Sequence, residues 1–560
     1  MTPSHIQQAY AALKEGDLAA AEQALRHASR SPPGDGTLMH LAGLLAARHG
    51  RLEQALAFLG KAAAIAPSNP EFQKDLLAVS HQARAGSANG PAQAAAPDAR
   101  RQAELGLALL KDAQIPEAIA ALRQAIRLDP SQIDAKLNLA NALAQSGDDQ
   151  GIAEALSLFQ EALRLQPNAM AVRLNLGNVL RRLERFGEAE AEYRQVTAVE
   201  PARGDAWNNL VGLQQSLGRL DDAEQSAREA LAHCPGDPRL HRALGHVLLA
   251  RGRLKEGWPE YNYRFAVEAR TGRLKIRPFQ NAWWDGEALR DKKLLLWAEQ
   301  GLGEEIMHAS VIPDALQAAG AVVLECDARL QPIFRRSFPG AQVFGRADPP
   351  DFRISGEGID VQCALGAYAG NRRQSFADFP DRHGYLTADP ALAEVRRRWL
   401  DSIGGELKIG ISWFSDNKNI GGRKSTRLRD WRDLFAIPGC TYVDLQYGDS
   451  EAERAAAAQD GMILHRAPGL DLTGDLDGLA GLIAALDLVI TVSNTTAHLA
   501  GALGRDCWVL VHDAPFWHWF VDREDSPWYP SIRLFRQRRR GDWPELFGCL
   551  AAALGELPKA

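Results

Sequence analysis

The sequence predicts an α-solenoid of paired helices followed by an α/β module of two lobes. Three observations carry this. Small and apolar residues recur every 34 positions through the first half, the pattern changes after Trp258 to short apolar runs alternating with helical stretches, and 560 residues are too many for one core.

The repeat period is marked by proline and glycine. Pro33 and Pro67 stand 34 residues apart, Pro167, Pro201 and Pro235 keep that interval, and Gly218 and Gly252 repeat it. Ala21, Ala55, Ala118, Ala155, Ala189 and Ala223 open second helices, and Ala28, Ala62, Ala125, Ala162 and Ala230 follow seven residues later, small side chains where two helices touch. Leu25, Leu59, Leu122, Phe159 and Tyr193 fill the same face at helical spacing. Proline then ends each second helix, having no N–H to donate and a ring that clashes with the preceding turn. Residues 205–235, DAWNNLVGLQQSLGRLDDAEQSAREALAHCP, show the unit whole, and it resembles the tetratricopeptide repeat (TPR) family. The expected organisation is repeats 1–2 over 1–79, a flexible Ala/Gly/Pro linker over 80–98 and repeats 3–7 over 99–265, the unit 133–167 carrying two extra residues around Gln150.

Stacked helix pairs form a superhelix with a concave groove, a natural seat for a protein partner. Asn138, Asn141, Asn175, Asn178, Asn208 and Asn209 recur on first helices, where carboxamides can bond the backbone of an extended ligand. The alternative is a solvated spacer.

Composition excludes several classes. With 46% hydrophobic residues, 24% charged residues and a net charge of −6, the chain is not a general nucleic-acid binder. No apolar run approaches the roughly 20 residues needed to cross a bilayer, and the opening MTPSHIQQAY lacks a secretion signal. The expectation is a cytoplasmic protein without membrane insertion. Cys234, Cys326, Cys363, Cys440, Cys507 and Cys549 form no CxxC pair, so reduced thiols are expected and no metal site.

After Trp258 the apolar runs read as parallel strands: KKLLLWAEQ (292–300), AVVLECD (321–327) and AQVFG (341–345) in a first lobe over 266–390, then LKIGISWF (407–414), TYVDLQYG (441–448), MILHRAP (462–468), DLVITVSN (487–494) and CWVLVHD (507–513) in a second over 405–560. A link over 388–405 joins them. Two Rossmann-like lobes in tandem bind ligands at the carboxyl ends of their strands.

The stretches WAEQGLGEEIMHAS, DLVITVSNTTAHLAGALG and SPWYPSIRLFRQRRRGDW resemble the heptosyltransferase-related GT-B glycosyltransferases over about residues 255–550. Together with the repeats, the whole chain resembles the bacterial flagellin O-glycosyltransferases. The resemblance implies that the repeats bind flagellin and that the GT-B module transfers a nonulosonic acid from a CMP-activated donor. The nucleotide sugar is a substrate, and no cofactor is implied.

The turn Gly301-Leu302-Gly303 lets backbone approach a ligand, and Glu304 and Glu305 follow it. In the resembling enzymes an aspartate directly after the last glycine is the general base. Glu304 holds that position, with Glu305 as rival, while either carboxylate alone favours a helix N-terminus by about 0.3–1 kcal/mol. The loop 415–427 carries four cations and two glycines suited to a nucleotide phosphate; the resemblance places a phosphate-binding lysine here, matched by Lys424 or Lys418, with Arg423 alongside. Ser493, Asn494, Thr495 and Thr496 leave a strand and enter a helix, an anion site by its free N–H groups. The resemblance places His498 against the donor's phosphate region, whereas the family's usual aspartate is replaced by Ser493. Gln446, Tyr447 and Gly448 end another strand, where base or ribose contacts fall, and Tyr447 can stack on a base. The loop 515–519 reads as packing over the cleft, Arg533, Arg536, Arg538, Arg539 and Arg540 as a solvated face, and Asp475 and Asp477 as caps instead of metal ligands.

The expected function is an inverting, metal-independent protein O-glycosyltransferase acting on flagellin Ser or Thr. The alternatives are heptosyltransferase-like transfer from an ADP- or UDP-activated sugar, or a TPR scaffold with a degenerate transferase lobe.

Overall fold

The fold is that of a computed structural model, which describes residues 3–28, 36–66, 69–86, 96–271, 277–356, 358–416 and 421–557. The chain divides into two compact units, Met1–Val179 and Leu180–Ala560.

The regular structure of the first unit is all helical among the described residues. Helices Pro3–Glu15 and Leu18–Ala28 pair, as do Gly36–Arg48 and Leu52–Ile65, Ala96–Lys111 and Ile115–Leu128, and Ile133–Ser146 and Asp149–Leu165. The periodic alanines explain the close pairing, since Ala55, Ala118 and Ala155 are completely buried where a larger side chain has no room. At Gly106 a Cβ would lie 2.5 Å from Leu122 Cγ, so that crossing tolerates only glycine. Asp148 caps Asp149–Leu165 by accepting from Gly151 N–H at 2.6 Å. Helix Pro70–Gly86 covers the second pair, with Val79 against Ala55 and Leu59, and Phe72 against Ala62 and Ala63. The linker expected over 80–98 is thus helical at both ends, its first residues continuing Pro70–Gly86 and its last opening Ala96–Lys111, because Ala, Gln and Arg favour helix. Its middle, 87–95, lies outside the described residues.

The second unit begins with further repeat helices, Phe186–Val199, Gly204–Ser216, Leu220–His233, Pro238–Ala250 and Leu254–Asn262. The last of these is built into the α/β core. Trp258 and Tyr261 are buried there with Leu294, Leu296 and Tyr368, and the Trp258 indole N–H donates to Arg373 O at 2.8 Å.

Two sheets follow. The first contains β1 (Ala282–Trp283), β2 (Lys293–Trp297), β3 (Ala321–Cys326), β4 (Ala341–Gly345) and β5 (Val361–Ala364) in the all-parallel order β1-β5-β2-β3-β4. The second contains β6 (Leu407–Ser412), β7 (Cys440–Asp444), β8 (Leu464–His465), β9 (Leu488–Val492), β10 (Cys507–Val511), β11 (Asp525–Ser526) and β12 (Tyr529–Arg536). Its order is β11-β12-β10-β9-β6-β7-β8, parallel except at the β11 edge. Strands β2, β9 and β10 are buried on both faces, as their uninterrupted apolar runs require. The link read over 388–405 is mostly the helix Pro390–Ser402, capped by Asp389 and packed against Leu476–Ala485. The architecture is an α-helical repeat array followed by an α/β module of two Rossmann-like lobes.

Candidate functional site

Sheet topology dictates where a ligand can sit. In the second sheet the chain runs from β6 outward through β7 and β8, then returns beside β6 to lay down β9, β10 and β12. The reversal falls between β6 and β9, and loops leaving the carboxyl ends of those strands must diverge and open a crevice. In the first sheet β2 is flanked by β3 on one side and β5 on the other, the corresponding reversal. The loops after β2, β6 and β9 meet in one cleft lined by Gly301, Gly303, Glu304, Ser415, Asp416, Lys424, Tyr447, Ser493, Asn494, Thr495, His498, Phe516 and His518.

Glu304 lies in the first turn of helix Leu302–His308, where its Oε2 accepts from Gly301 N–H at 3.1 Å. Burial pushes its carboxyl above the ordinary range, against the opposing pull of that N–H and of Lys424. Glu305 points elsewhere, because neighbours on a helix diverge by about 100°. Its Oε1 accepts from Asp327 N–H at 2.7 Å, its Oε2 pairs with Arg346 at 3.3 Å, and burial raises it to about 7. It does not line the cleft, so it is not placed to act as the base.

Lys424 is buried, and burial pulls its ammonium down to about 8 although the Glu304 charge acts to raise it. Its Nζ sits 5.2 Å from the Phe516 ring centroid and forms no ion pair among the described residues. Lys418, the other lysine considered for the phosphate, lies outside the described residues. Arg423 turns away from the cleft: its Nη2 donates to Ser216 O at 2.9 Å and pairs with Asp513 at 3.0 Å, tying the loop to a repeat helix.

The Ser493–Thr496 turn is braced from within. Asn494 Oδ1 accepts from Thr496 N–H at 3.0 Å, capping helix Thr495–Ala502, while its Nδ2 donates to Ser412 Oγ at 2.8 Å across β6. Ser493 Oγ accepts from the Trp519 indole at 2.7 Å, so this serine holds the 515–519 loop in place. Thr496 is buried behind Thr495, which faces the opening. His498 lies one turn in, with Nδ1 2.9 Å from Tyr529 OH and its ring stacked on Trp519 at 5.3 Å. Burial, aided by Lys424, pulls this imidazole down to about 3, so it is neutral at any physiological pH. A Cβ on Gly303 would lie 2.7 Å from His498 Cδ2, which explains glycine there.

Gln446 is a brace instead of a ligand contact: buried, its Oε1 accepts from Trp413 N–H at 2.9 Å and Phe414 N–H at 2.8 Å. Tyr447 is half-buried on the cleft wall, and Gly448, at φ 83°, turns the chain outward beside it. Of the arginine run, Arg536 is bound to the Arg523 and Trp519 carbonyls, Arg538 to Glu545 and Arg540 to Glu184, and none lines the cleft. Asp475 caps Leu476–Ala485, and Asp477 pairs with Arg336. Sequence reasoning placed His518 in a loop packing over the cleft and Tyr529 in a resembling stretch without giving either a role; the ring nitrogens of His518 are buried without a partner among the described residues, and Tyr529 OH meets His498 Nδ1.

The six asparagines are half-buried. In the first unit Asn175 Nδ2 donates to Asn141 Oδ1 at 2.8 Å, a ladder between successive repeats, while Asn138 lines a groove with Arg100, Asp134 and Gln166. Asn178 lies on helix Met170–Arg182, and Asn208 and Asn209 lie on Gly204–Ser216 in the second unit. Among the described residues no cluster of His, Cys, Asp or Glu can hold a metal ion, and no helix is long and apolar enough to cross a membrane.

Residues 6–70, 148–206, 174–238 and 210–270 match the family described as Tetratricopeptide repeat, and residues 106–147 match TPR repeat. Protein FlbA of Caulobacter vibrioides is 33% identical over 375 residues, 63% of this chain and 62% of that protein's length. The chain thus spans less than two thirds of that relative. Among solved structures, the MamA RS-1 ArsTM double mutant matches 31% of this chain and 96% of its own at 20% identity and a TM-score of 0.28. MamA 41-end from Desulfovibrio magneticus RS-1 matches 31% and 95% at 20% identity and 0.26. The N-terminal region is an array of tetratricopeptide repeats, set ahead of an α/β module.

Proposed function

We propose that the chain is a glycosyltransferase of GT-B type that transfers a sugar from a nucleotide donor to a hydroxyl of a protein held by the repeats. The observation that carries the reading is the pairing in one cleft of a half-buried carboxylate, Glu304, with a buried ammonium, Lys424, at the carboxyl ends of the strands. These are the two groups a single displacement needs. Glu304 takes the proton as the acceptor oxygen attacks the anomeric carbon, and its raised pKa brings it toward the operating pH. Lys424 and the N-terminus of helix Thr495–Ala502 stabilise the negative charge on the departing phosphate. One displacement inverts the anomeric carbon. Tyr447 on the wall provides a face for the base.

The acceptor is proposed to be flagellin, modified on Ser or Thr by a nonulosonic acid from a CMP donor in the cytoplasm; the whole-chain resemblance and the repeat array support this. Nucleotide binding tests the cleft. CMP, UDP and ADP are titrated into the full chain and into Lys424→Met by calorimetry. One nucleotide is expected to bind and to lose about 10- to 100-fold in affinity in the variant, the worth of a charge-assisted hydrogen bond of about 1.5–3 kcal/mol. Binding of none of them, or equal affinity in both proteins, counts against the reading.

A further inference from the structure

Arg423 and Lys424 are neighbours in the chain that face different cavities. Lys424 lines the cleft, whereas Arg423 lines a second cavity, of about 230 Å³, and Phe516 borders both. This second cavity lies within the Leu180–Ala560 unit and has two walls. One is the loop after β10, with Pro515, Phe516 and Trp517; the other is a pair of repeat helices, with Gly212 on Gly204–Ser216 and Val247 and Ala250 on Pro238–Ala250. The walls are fixed to each other. Arg423 Nη2 donates to Ser216 O at 2.9 Å, Val521 N–H donates to Ala250 O at 3.0 Å, and the ring centroids of Trp517 and Trp258 are 5.2 Å apart.

Gly212 opens the space. The residues 34 positions before and after it are Asn178 and His246, so the neighbouring repeats carry larger side chains where this one has none. Glycine weakens a helix interior, yet neither a left-handed backbone nor a close contact requires it here, since a Cβ on Gly212 would meet nothing within 4 Å.

The chemistry of the lining selects an uncharged occupant. The Arg423 charge is spent on Asp513 at 3.0 Å, while burial lowers His246 to about 4 and His512 below the ordinary imidazole range, so both rings are neutral at pH 7. Among the described residues of the lining no unpaired charge remains to hold a phosphate or carboxylate. A cavity of about 150 Å³ holds a benzene ring, so this one has room for a single side chain the size of leucine or phenylalanine. An extended chain advances about 3.3–3.6 Å per residue, and one aromatic residue, Phe516, borders this cavity and the cleft alike. We infer that the cavity is an acceptor subsite, receiving an apolar side chain that stands within about three residues of the modified hydroxyl. The donor does not compete for it, because its phosphate and base are met in the cleft by Lys424 and Tyr447, whereas one wall here is built from repeat helices. The inference rests on the proposed transferase reading, in which the repeats hold the acceptor.

The test fills the cavity by steps. Gly212→Ala, Gly212→Leu and Gly212→Phe are made in the full chain, at a position where a Cβ meets open space and each residue suits a helix better than glycine. Flagellin from cells carrying each variant is weighed intact and, after proteolysis, mapped for its modified residues. The modified fraction is expected to fall with each step, by about tenfold or more in Gly212→Phe, while nucleotide affinity and the urea midpoint keep their wild-type values. Each modified Ser or Thr should have an apolar neighbour within about three residues, and replacing that neighbour by Asp in flagellin should abolish modification by the wild-type enzyme. This last arm leaves the enzyme untouched and decides the matter even where a filled cavity disturbs the fold. Undiminished modification by Gly212→Phe, modified sites without an apolar neighbour, or tolerance of Asp there overturns the subsite and leaves the transferase reading standing. Loss of nucleotide binding in Gly212→Phe puts the donor in the cavity and likewise overturns the subsite. Flagellin left unmodified by the wild type overturns the flagellin transferase reading itself, and the subsite with it.

Discussion

Lys424→Met is expected to make the protein more stable while weakening its nucleotide binding. The lysine is 6% exposed, and burial lowers its ammonium from 10.5 to about 8. At about 1.4 kcal/mol per pH unit, that difference is a penalty of about 3 kcal/mol for holding the charge in the folded state. The sign follows from proton binding: between pH 8 and 10.5 the unfolded chain binds a proton at this lysine that the folded chain does not, so wild-type stability rises with pH across that window. Methionine has similar volume and no charge. The variant should exceed the wild type by about 3 kcal/mol at pH 7 and by about 1.4 kcal/mol at pH 9.5. Urea unfolding followed by intrinsic fluorescence is the assay, because all 13 tryptophans fall between Trp207 and Trp543 and report on Leu180–Ala560 alone. A variant less stable than wild type, or a difference that does not shrink between pH 7 and 9.5, would refute the claim that an unpaired buried charge is stored in the cleft.

Gly303→Ala should place a methyl 2.7 Å from His498 Cδ2, a ring already pinned by Tyr529 and Trp519, and lower transfer up to about 100-fold through misplacement of order 1 Å while costing about 1–3 kcal/mol in urea unfolding. Gly245→Ala should cost at least as much, since its Cβ would meet the backbone nitrogen of Tyr261 at 2.4 Å and force apart the last repeat pair; unchanged unfolding would show that the two helices pack less closely. Glu299→Leu should cost about 3–5 kcal/mol by stranding the Arg264 guanidinium, as both partners are 1% exposed and bond at 2.6 Å, whereas Arg264→Met together with Glu299→Leu should recover most of that loss in the same assay.

The repeat array and the parallel strands were legible for physical reasons. Helix pairs must touch at small residues, and the 34-residue spacing of alanine and proline records that contact directly. Strands buried on both faces read as unbroken apolar runs, which is why β2, β3, β6, β9 and β10 could be seen. Strand β5 is four residues, VQCA, and β12 is interrupted by Pro530 and alternates with arginines, so neither carries that signal. In the cleft, residues selected by position after a strand, such as Glu304, Thr495 and His498, converge, because strand ends at the chain reversal are brought together by topology. Others do not reach it: Glu305 is one helix position off, Arg423 pairs with Asp513, and Gln446, although it ends a strand, braces the loop after β6. The Tyr529–His498 contact joins positions 31 apart with no shared motif, and only the fold reveals it.

The repeats also constrain how the division of labour can be tested. Leu254–Asn262 is part of the α/β core, so a deletion through residue 265 would remove Trp258 and Tyr261 from it, whereas a deletion ending at Val179 follows the boundary between the compact units.

The most direct test of the central claim is the intact mass of flagellin from cells carrying the wild-type protein, Glu304→Gln or a deletion of residues 1–179. The account predicts a sugar-sized mass on flagellin with the wild type that disappears in both variants, with Glu304→Gln still folded by fluorescence. The same flagellin mass in all three, and in cells lacking the gene, would contradict it.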